Sequence, residues 1–260
     1  MVELTRTLRF CPTGDPDAPR ENASAAWPPP PRRGLGGVVE LRVTLAGEPD
    51  PATGMLVNVR DVDAAFARRV LPALAARDPP AAFLRAAAGA LAADLPVTRV
   101  SLHPGPASSL TLDPRAMHRV TLRQRYGFSA AHRLASEALS EEENQRLFGK
   151  CNRPSFHGHN YTLEVAASAG VDGLGRSLLP ADLDAAVNEQ VIDRLDHRNL
   201  NLDVEAFRGR NPTVEHIAQT CFGWLEGRLP ADAELLEVTV WETDRTACTW
   251  SRGGPDATPG

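Results

Sequence analysis

Apolar and polar residues alternate along eight stretches of the chain, which predicts half-buried β-strands. Four further stretches carry apolar residues at helical spacing. In chain order the predicted strands are residues 2–11, 37–46, 97–102, 108–112, 120–131, 157–168, 237–242 and 247–250, and the predicted helices are residues 61–75, 81–93, 181–195 and 211–225. Residues 12–33, rich in proline, and residues 133–156 are predicted to be loops. The last helix is expected to have Asn211 as its N-cap and Pro212 as its first residue.

The predicted elements form an internal repeat. Both halves run strand, strand, helix, helix, strand, strand, and DVDAA at residues 61–65 aligns with DLDAA at residues 182–186. GGVVELRV at residues 36–43 likewise aligns with GHNYTLEV at residues 158–165, so that Leu35 and Gly37 take the places of His157 and His159. In the same alignment, the first half has Ala75-Ala76 where the second has Asp196-His197, Ala82 where it has Glu215, and Pro104 where it has Glu242. Because these polar residues are missing together, the first half is expected to keep the scaffold without the chemistry.

Composition narrows the class of protein. A chain of 260 residues, 42% hydrophobic and 23% charged, can bury one large core or two ordinary ones. The net charge of -5 gives no reason to expect a nucleic-acid partner. No apolar run approaches the ~20 residues of a membrane span, and the start MVELTRTLRF has no signal-peptide core, so a cytoplasmic protein without membrane contact is expected. The four scattered cysteines form no disulfide framework.

The strongest candidates for chemistry are His157 and His159, at the head of a predicted strand. Side chains two apart in a strand point to the same face, so the two imidazoles converge. A second predicted strand ends at His132 and can deliver a third imidazole. Three histidines with an open fourth position are typical of catalytic zinc. The alternative, ordinary surface or core histidines, does not explain HGH at the start of an alternating run.

Cys151 has three readings: a fourth, structural zinc ligand, an inert buried thiol, or a base beside the metal. A thiol acts as a base only when nearby positive charge favours the thiolate, and Lys150, Arg153 and the metal could supply that charge. Asp196 and His197 together are typical of a proton-transfer unit, although the same pair at a helix end can be capping and surface polarity.

Two carboxylates are harder to interpret. Glu215 falls in the first turn of a predicted helix, where a carboxylate also stabilises the helix dipole. Glu242 closes the strand VTVWE, and it is either a solvated hairpin residue or an acceptor of two parallel N–H bonds from a planar, amidine-like edge.

In order along the chain, FSAAHRL, CNRPSFHGHNY, LDHRNLN, NPTVEHIA and VWETD resemble the 6-pyruvoyltetrahydropterin synthase family, which includes the 6-carboxytetrahydropterin synthases of the queuosine pathway. The resemblance spans residues 118–250. It implies an α+β protein of two tandem T-folds, each a four-stranded antiparallel sheet with two helices on one face. The expected domains are a degenerate T-fold at 1–115 and a catalytic one at 116–252, with a disordered tail at 253–260.

The resemblance also assigns roles. His132, His157 and His159 would hold one Zn²⁺ per chain, in the second half only. Cys151, Asp196 and His197 would move protons, and Glu242 with Glu215 would bind the pterin ring. A need for Mg²⁺ stays open.

The implied activity is that of a zinc-dependent lyase of tetrahydrobiopterin biosynthesis. It would convert 7,8-dihydroneopterin triphosphate into 6-pyruvoyltetrahydropterin with elimination of triphosphate. Five residues separate Cys151 from His157, as in pyruvoyl-forming members, whereas carboxy-forming members typically have three. The alternatives are a 6-carboxytetrahydropterin synthase on the same substrate and, in another class, a zinc- or pterin-binding protein without turnover. Family members form rings of three T-folds with sites at subunit boundaries, so a homo-oligomer, a trimer of fused chains, is expected.

Overall fold

The computed structural model describes residues 1–10, 39–72, 79–230 and 232–252. The chain divides into two compact units, one of Met1–Leu122 with Ser168–Leu178 and the other of Arg123–Ala167 with Leu179–Gly260. The predicted domain limits at residues 115 and 252 stay predictions. The expected loop at 12–33, the aligned positions Leu35, Gly37 and Ala75-Ala76, and the expected tail at 253–260 lie outside the described residues.

The first unit is built on an antiparallel sheet in which each strand pairs with the next along the chain. Two helices lie side by side on it: the second packs on the last two strands and on the end of the first helix. The strands are β1 (Val2–Phe10), β2 (Val39–Gly47), β3 (Val97–Gly105) and β4 (Ser108–Leu112), and the helices are α1 (Val59–Ala65), which continues as a π-helical turn (Phe66–Val70), and α2 (Pro80–Ala92).

The second unit has the same plan. Its main strands lie in the order β5 (Arg119–His132), β6 (His157–Gly170), β8 (Ala233–Thr243) and β9 (Thr246–Ser251), and the short β7 (Arg198–Asn199) pairs in parallel with β5. The helices are α3 (Glu141–Phe148), α4 (Pro180–Val187) with a π-helical turn (Asn188–Ile192), α5 (Asp193–Leu195), α6 (Leu200–Asp203) and α7 (Val214–Leu225), and 3-10 turns cover Gly149–Asn152 and Glu205–Phe207. The prediction of an α+β chain of two tandem T-folds is confirmed.

Alternation along β5 and β6 defines two faces in the second unit. Phe128 and His132 on β5, and Tyr161 and Leu163 on β6, are buried, and Phe128 stacks on Tyr161 with ring centroids 4.9 Å apart. Residues at the alternate positions, such as Ser129 on β5, are more exposed. The sheet therefore carries its chemistry-bearing histidines on the face that also holds the core.

The two aligned DxDAA segments fold alike, which supports the repeat. In both copies the helix widens into a π-helical turn just after this segment. The second aspartate of each segment also accepts hydrogen bonds from the first strand of its own unit. Asp63 receives both bonds of the Arg6 guanidinium at 2.9 and 2.7 Å, and Asp184 receives the Gln124 amide at 2.6 Å and the Tyr126 hydroxyl at 3.0 Å.

Two local predictions were wrong. The expected loop at 133–156 contains α3, which begins with a complete capping box between Ser140 and Glu143, so the signal S-x-x-E was present in the sequence. Helix α7 begins at Val214 with Thr213 as its N-cap, rather than at Asn211 and Pro212. The carbonyl groups of those two residues bind histidine rings instead of starting the helix. Among the described residues no helix is long and apolar enough to cross a membrane.

Replacing Asp184 by alanine should lower the free energy of unfolding by about 2 kcal/mol, because the part-buried Tyr126 hydroxyl and the Gln124 amide lose their acceptor. Urea unfolding followed by circular dichroism measures this change. The exposed Asp182, two residues earlier in the same helix, is the matched control, and Asp182→Ala should cost less than about 1 kcal/mol. Equal losses in the two variants would contradict the assigned role of Asp184.

Candidate metal centre

Three histidines converge at one end of the second unit. His132 is the last residue of β5, and His157 and His159 are the first and third residues of β6. Their ligand atoms all lie within 4.8 Å of one another, and the Nε2 atoms of His132 and His157 are 3.0 Å apart. Within the described ranges this is the one cluster of histidine, cysteine or acidic side chains with such spacing. The predicted convergence of the three rings is therefore present in the fold.

The orientation of His132 is fixed by a backbone group that the sequence did not reveal. The ring is fully buried, and its Nδ1 lies 2.8 Å from the carbonyl oxygen of Pro212. A carbonyl can only accept, so Nδ1 carries the proton and Nε2 keeps its lone pair. Ligands of bound metals are commonly held in this way, with the second ring nitrogen donating to a carbonyl or carboxylate.

The segment that supplies this carbonyl is itself well anchored. The Asn211 carbonyl accepts from Nδ1 of His216 at 2.7 Å, and the Asn211 side chain accepts from the N–H of Ala135 at 2.9 Å. The Thr213 hydroxyl caps α7 by accepting from the N–H of His216. Residues of α7 and of the loop after β5 thus hold the Pro212 carbonyl against His132.

The environment favours the uncharged form of His132 and His157 and leaves ring atoms of the cluster unpaired. Burial, which outweighs the hydrogen bond to Pro212, lowers the pKa of His132 to about 4, with smaller contributions from the neighbouring His157 and His159. Burial, followed by the His159 ring, also lowers the pKa of His157. Nδ1 of His157 and Nε2 of His159 are buried and have no hydrogen-bond partner among the described residues. Neutral imidazoles with unpaired nitrogen atoms suit a zinc ion, which binds deprotonated ligands.

Glu242, near the end of β8, lies against this cluster. Its Oε1 is 3.3 Å from Nε2 of His132 and 3.7 Å from Nε2 of His159, and its side chain is 19% exposed. The sequence predicted a strand-end carboxylate that meets a planar ligand edge, and it gave no indication of contact with the histidines. The role of Glu242 toward a ligand stays a prediction.

Cys151 lies near the same face, in the 3-10 turn after α3. Its carbonyl accepts from the N–H of Leu134, and the buried Asn152 donates its amide to the Leu134 carbonyl at 2.8 Å, which ties this turn to the end of β5. Burial, and then the negative charge of Glu242, raise the pKa of the Cys151 thiol. From the sequence, Lys150 and Arg153 were expected to lower the pKa of this thiol, and that lowering is not found. A bound metal is the remaining source of positive charge that could favour the thiolate.

Asp196 and His197 form a pair at the edge of β5. The carboxylate of Asp196 accepts from Nδ1 of His197 and from the N–H of Ser129, each at 2.8 Å, and these bonds, the Ser129 bond first, hold the pKa of Asp196 below its ordinary value. His197 has a positive φ of 57°, in the left-handed region that residues other than glycine rarely adopt. The pair thus presents an exposed imidazole whose Nε2 faces outward from its carboxylate.

The structure does not connect this pair to Cys151. In the part of the chain that is described, no hydrogen bond joins Asp196 or His197 to Cys151, Glu242 or His132. His197 lines a cleft of about 510 Å³ together with Ser129 and Ala131, whose side chains alternate with the buried His132. The cleft also reaches His159. Cys151 and Glu242 therefore adjoin the metal-binding face, whereas Asp196 and His197 lie beside β5 at a cleft that reaches His159.

Glu215 lies in the first turn of α7, as predicted, and makes the contacts of a helix start. Hydrogen bonds from the Thr213 hydroxyl and from its own backbone N–H hold the pKa of Glu215 below its ordinary value. Its charge also contributes to raising the pKa of Cys248 on β9. No contact among the described residues joins Glu215 to the histidine cluster, so its predicted role in ligand binding stays a prediction.

Known proteins match the part of the chain that contains these candidate residues. The sequence profile of a family described as 6-pyruvoyl tetrahydropterin synthase matches residues 121–253. The chain belongs to this family. A human 6-pyruvoyl tetrahydrobiopterin synthase is 43% identical over 122 residues, which are 46% of this chain and 83% of the relative. A Caenorhabditis elegans protein described as a putative 6-pyruvoyl tetrahydrobiopterin synthase is 41% identical over 133 residues, 50% of this chain and 94% of the relative.

A solved structure shows the same partial coverage. The 6-pyruvoyl tetrahydropterin synthase of Caenorhabditis elegans is 40% identical, with a TM-score of 0.47, and it matches 51% of this chain and 95% of its own. The family profile contains every candidate residue from His132 to Glu242, and it leaves residues 1–120 unmatched. The relatives thus correspond to the half of the chain that carries the histidine cluster.

Removal of one histidine should abolish metal binding. His157→Ala is expected to lower zinc content from about one ion per chain to near zero, because a site of three ligands and an open position cannot spare one. Elemental analysis after dialysis against limiting zinc measures this. His118→Ala, which changes an exposed histidine, should keep the zinc of the wild type. Full zinc occupancy in His157→Ala would place the metal elsewhere.

The metal-free protein should lose stability in acid through His132. Its pKa is about 4 in the folded state and about 6.5 in the unfolded chain, so the unfolded state binds more protons between these values and stability falls as pH drops below 6.5. From pH 7 to pH 5, His132 alone should account for about 2 kcal/mol of the lost free energy of unfolding. Urea titrations of the chelator-treated protein measure it. His132→Asn should reduce the loss, and His118→Asn should leave it unchanged.

Proposed function

We propose that this protein is a zinc-dependent lyase that converts 7,8-dihydroneopterin triphosphate into 6-pyruvoyltetrahydropterin and releases triphosphate. The observation that carries the proposal is the meeting of His132, His157 and His159 with Glu242 and the nearby Cys151 on one face of the second unit. The human and nematode relatives described as 6-pyruvoyl tetrahydrobiopterin synthases are over 40% identical across this unit.

The three histidines would hold the zinc ion through neutral ring nitrogens. Bound zinc supplies a Lewis acid beside the substrate side chain, which makes protons on carbon next to its hydroxyl groups easier to remove. His132 is oriented for this role by the Pro212 carbonyl, and Nε2 of His159 is a buried atom that a metal would satisfy.

The carboxylates would recognise the pterin ring. A planar 2-amino-pyrimidinone edge presents two parallel N–H groups, which match the two oxygens of one carboxylate. Glu242 is the carboxylate beside the metal-binding face, and Glu215 is kept ionised by its hydrogen bonds at the start of α7. Lys150, Arg153, Arg198 and Arg245 are the candidate cations for the triphosphate.

Proton transfer would be divided between Cys151 and the Asp196-His197 pair. Asp196 accepts the Nδ1 proton of His197, which leaves Nε2 to take up or give a proton. Cys151 must lose its own proton before it can act as a base, and burial and Glu242 oppose that loss. A nearby zinc ion favours the thiolate, so the cysteine would become reactive only in the metal-loaded protein.

We propose that a complete site is shared between copies of the chain, because no hydrogen bond among the described residues joins Cys151 to His197 within one copy. A homo-oligomer, in the simplest form a trimer of the 28.0 kDa chain, would bring the Asp196-His197 edge of one copy to the metal-binding face of the next. The first unit would take part in assembly and would not catalyse.

Turnover should depend on Cys151. With zinc bound and 7,8-dihydroneopterin triphosphate supplied, the wild type should release one triphosphate per pterin, and Cys151→Ala should lower kcat by about 100-fold or more while keeping its zinc. Cys248→Ala, a cysteine on β9, is the control and should keep the wild-type rate. Phosphate release and chromatography of the pterins measure both.

The same assay separates the alternatives. Acetaldehyde released together with triphosphate would identify a 6-carboxytetrahydropterin synthase. Zinc binding with release of neither product would leave a zinc- or pterin-binding protein without turnover, and the lyase proposal would be wrong.

Mixed oligomers test the shared site. Cys151→Ala and His197→Ala should each be nearly inactive, and chains of the two variants refolded together in equal amounts should regain about a quarter of wild-type activity, since half the copies supply each intact residue. Mass photometry of the same samples gives the oligomeric state. Mixtures no more active than their components, or a stable monomer with full activity, would contradict sharing between copies.

A further inference from the structure

Glu242 lies beside the three-histidine cluster, where a further metal ligand would lie. Its Oε1 reaches two of the three rings, at 3.3 Å from Nε2 of His132 and 3.7 Å from Nε2 of His159. The side chain is mostly buried, with 19% of its surface exposed. A carboxylate in such a place needs a partner that compensates its charge.

The histidines do not provide that partner as hydrogen-bond donors. Nδ1 of His132 donates to the Pro212 carbonyl, so Nε2 presents a lone pair to the carboxylate oxygen. The distance between Nε2 of His159 and the same oxygen, 3.7 Å, is too long for a hydrogen bond, and that Nε2 has no partner among the described residues. Acceptor atoms that face one another at close range are stabilised by a cation between them.

The spacing matches the edges of a coordination shell. Zinc bonds to nitrogen and oxygen are about 2.0–2.1 Å long, so neighbouring atoms in a tetrahedral shell are about 3.3 Å apart. The two histidine Nε2 atoms at 3.0 Å and the two Glu242 distances of 3.3 and 3.7 Å bracket this value. Glu242 is not within 4.8 Å of all three histidines at once.

We propose that Glu242 is a fourth protein ligand of the metal when no substrate is bound. This proposal rests on the zinc site proposed above and adds a residue to it. The position counted as open in the sequence pattern is then closed by a carboxylate in the resting protein. It opens when Glu242 turns away, as it must if the same carboxylate is to accept the N–H groups of a pterin. One side chain would thus couple arrival of the ligand to exposure of the metal.

The test is zinc affinity without any pterin. Chelator competition on the full chain should show that Glu242→Gln weakens zinc binding by about 10-fold or more, comparable with loss of other groups that support a metal. Glu242→Asp should weaken it by a similar factor, because the charge is kept but the shorter side chain falls back from the ion. Asp244→Asn, which removes one exposed negative charge two residues away, should change the affinity less than 3-fold, in keeping with an exposed and screened charge.

A spectroscopic readout separates contact from charge. The visible absorption of the Co²⁺-loaded protein should shift in both Glu242 variants and stay at the wild-type wavelength in Asp244→Asn, since only a change of ligand alters the metal's immediate field. Circular dichroism confirms that each variant is folded. If Glu242→Asp and Glu242→Gln keep the wild-type affinity and Co²⁺ spectrum, the ligand proposal is overturned while the lyase proposal stands. If the wild type itself binds no zinc, the proposed function is contradicted, and the ligand proposal with it.

Discussion

The hydrogen bond between the buried His132 ring and the Pro212 carbonyl is the interaction on which the candidate site depends. It decides which nitrogen of His132 holds the proton and aims the other at His157, His159 and Glu242. The carbonyl is available because α7 starts at Val214 with Thr213 as its N-cap, which leaves the carbonyl groups of Asn211 and Pro212 outside the helix. If α7 began one turn earlier or later, the orientation of His132 would therefore change although every side chain of the metal-binding face stayed the same.

The sequence predicted those features that follow from a short-range repeat. Alternation along β5 and β6 was enough to place His132, His157 and His159 on one face, and the DxDAA repeat was enough to place two similar units in the chain. The π-helical turns were not predicted, because apolar spacing along so short a stretch does not distinguish them from an α-helix. The helices predicted at residues 61–75 and 181–195 were therefore expected to be regular.

The features that were missed depend on contacts between residues far apart in the chain. Nothing near Pro212 indicates that its carbonyl meets a ring 80 residues earlier. The approach of Glu242 to the histidines follows from the neighbouring positions of β6 and β8 in the sheet, which alternation cannot reveal. Helix α3 is different: its capping box was readable in the sequence, and the polar character of the surrounding stretch hid it.

The π-helical turns also constrain how this fold can vary. A π-helical turn holds one more residue than the α-helical turn it replaces, and each residue of a helix turns the chain by about 100°. In the second unit this turn ends three residues before Leu195, so its extra residue sets the direction in which Asp196 and His197 leave the helix toward Ser129. The first unit has the same wide turn, while its aligned positions carry alanines. The wide turn is therefore common to both copies of the repeat, although only the second copy carries Asp196 and His197 after it.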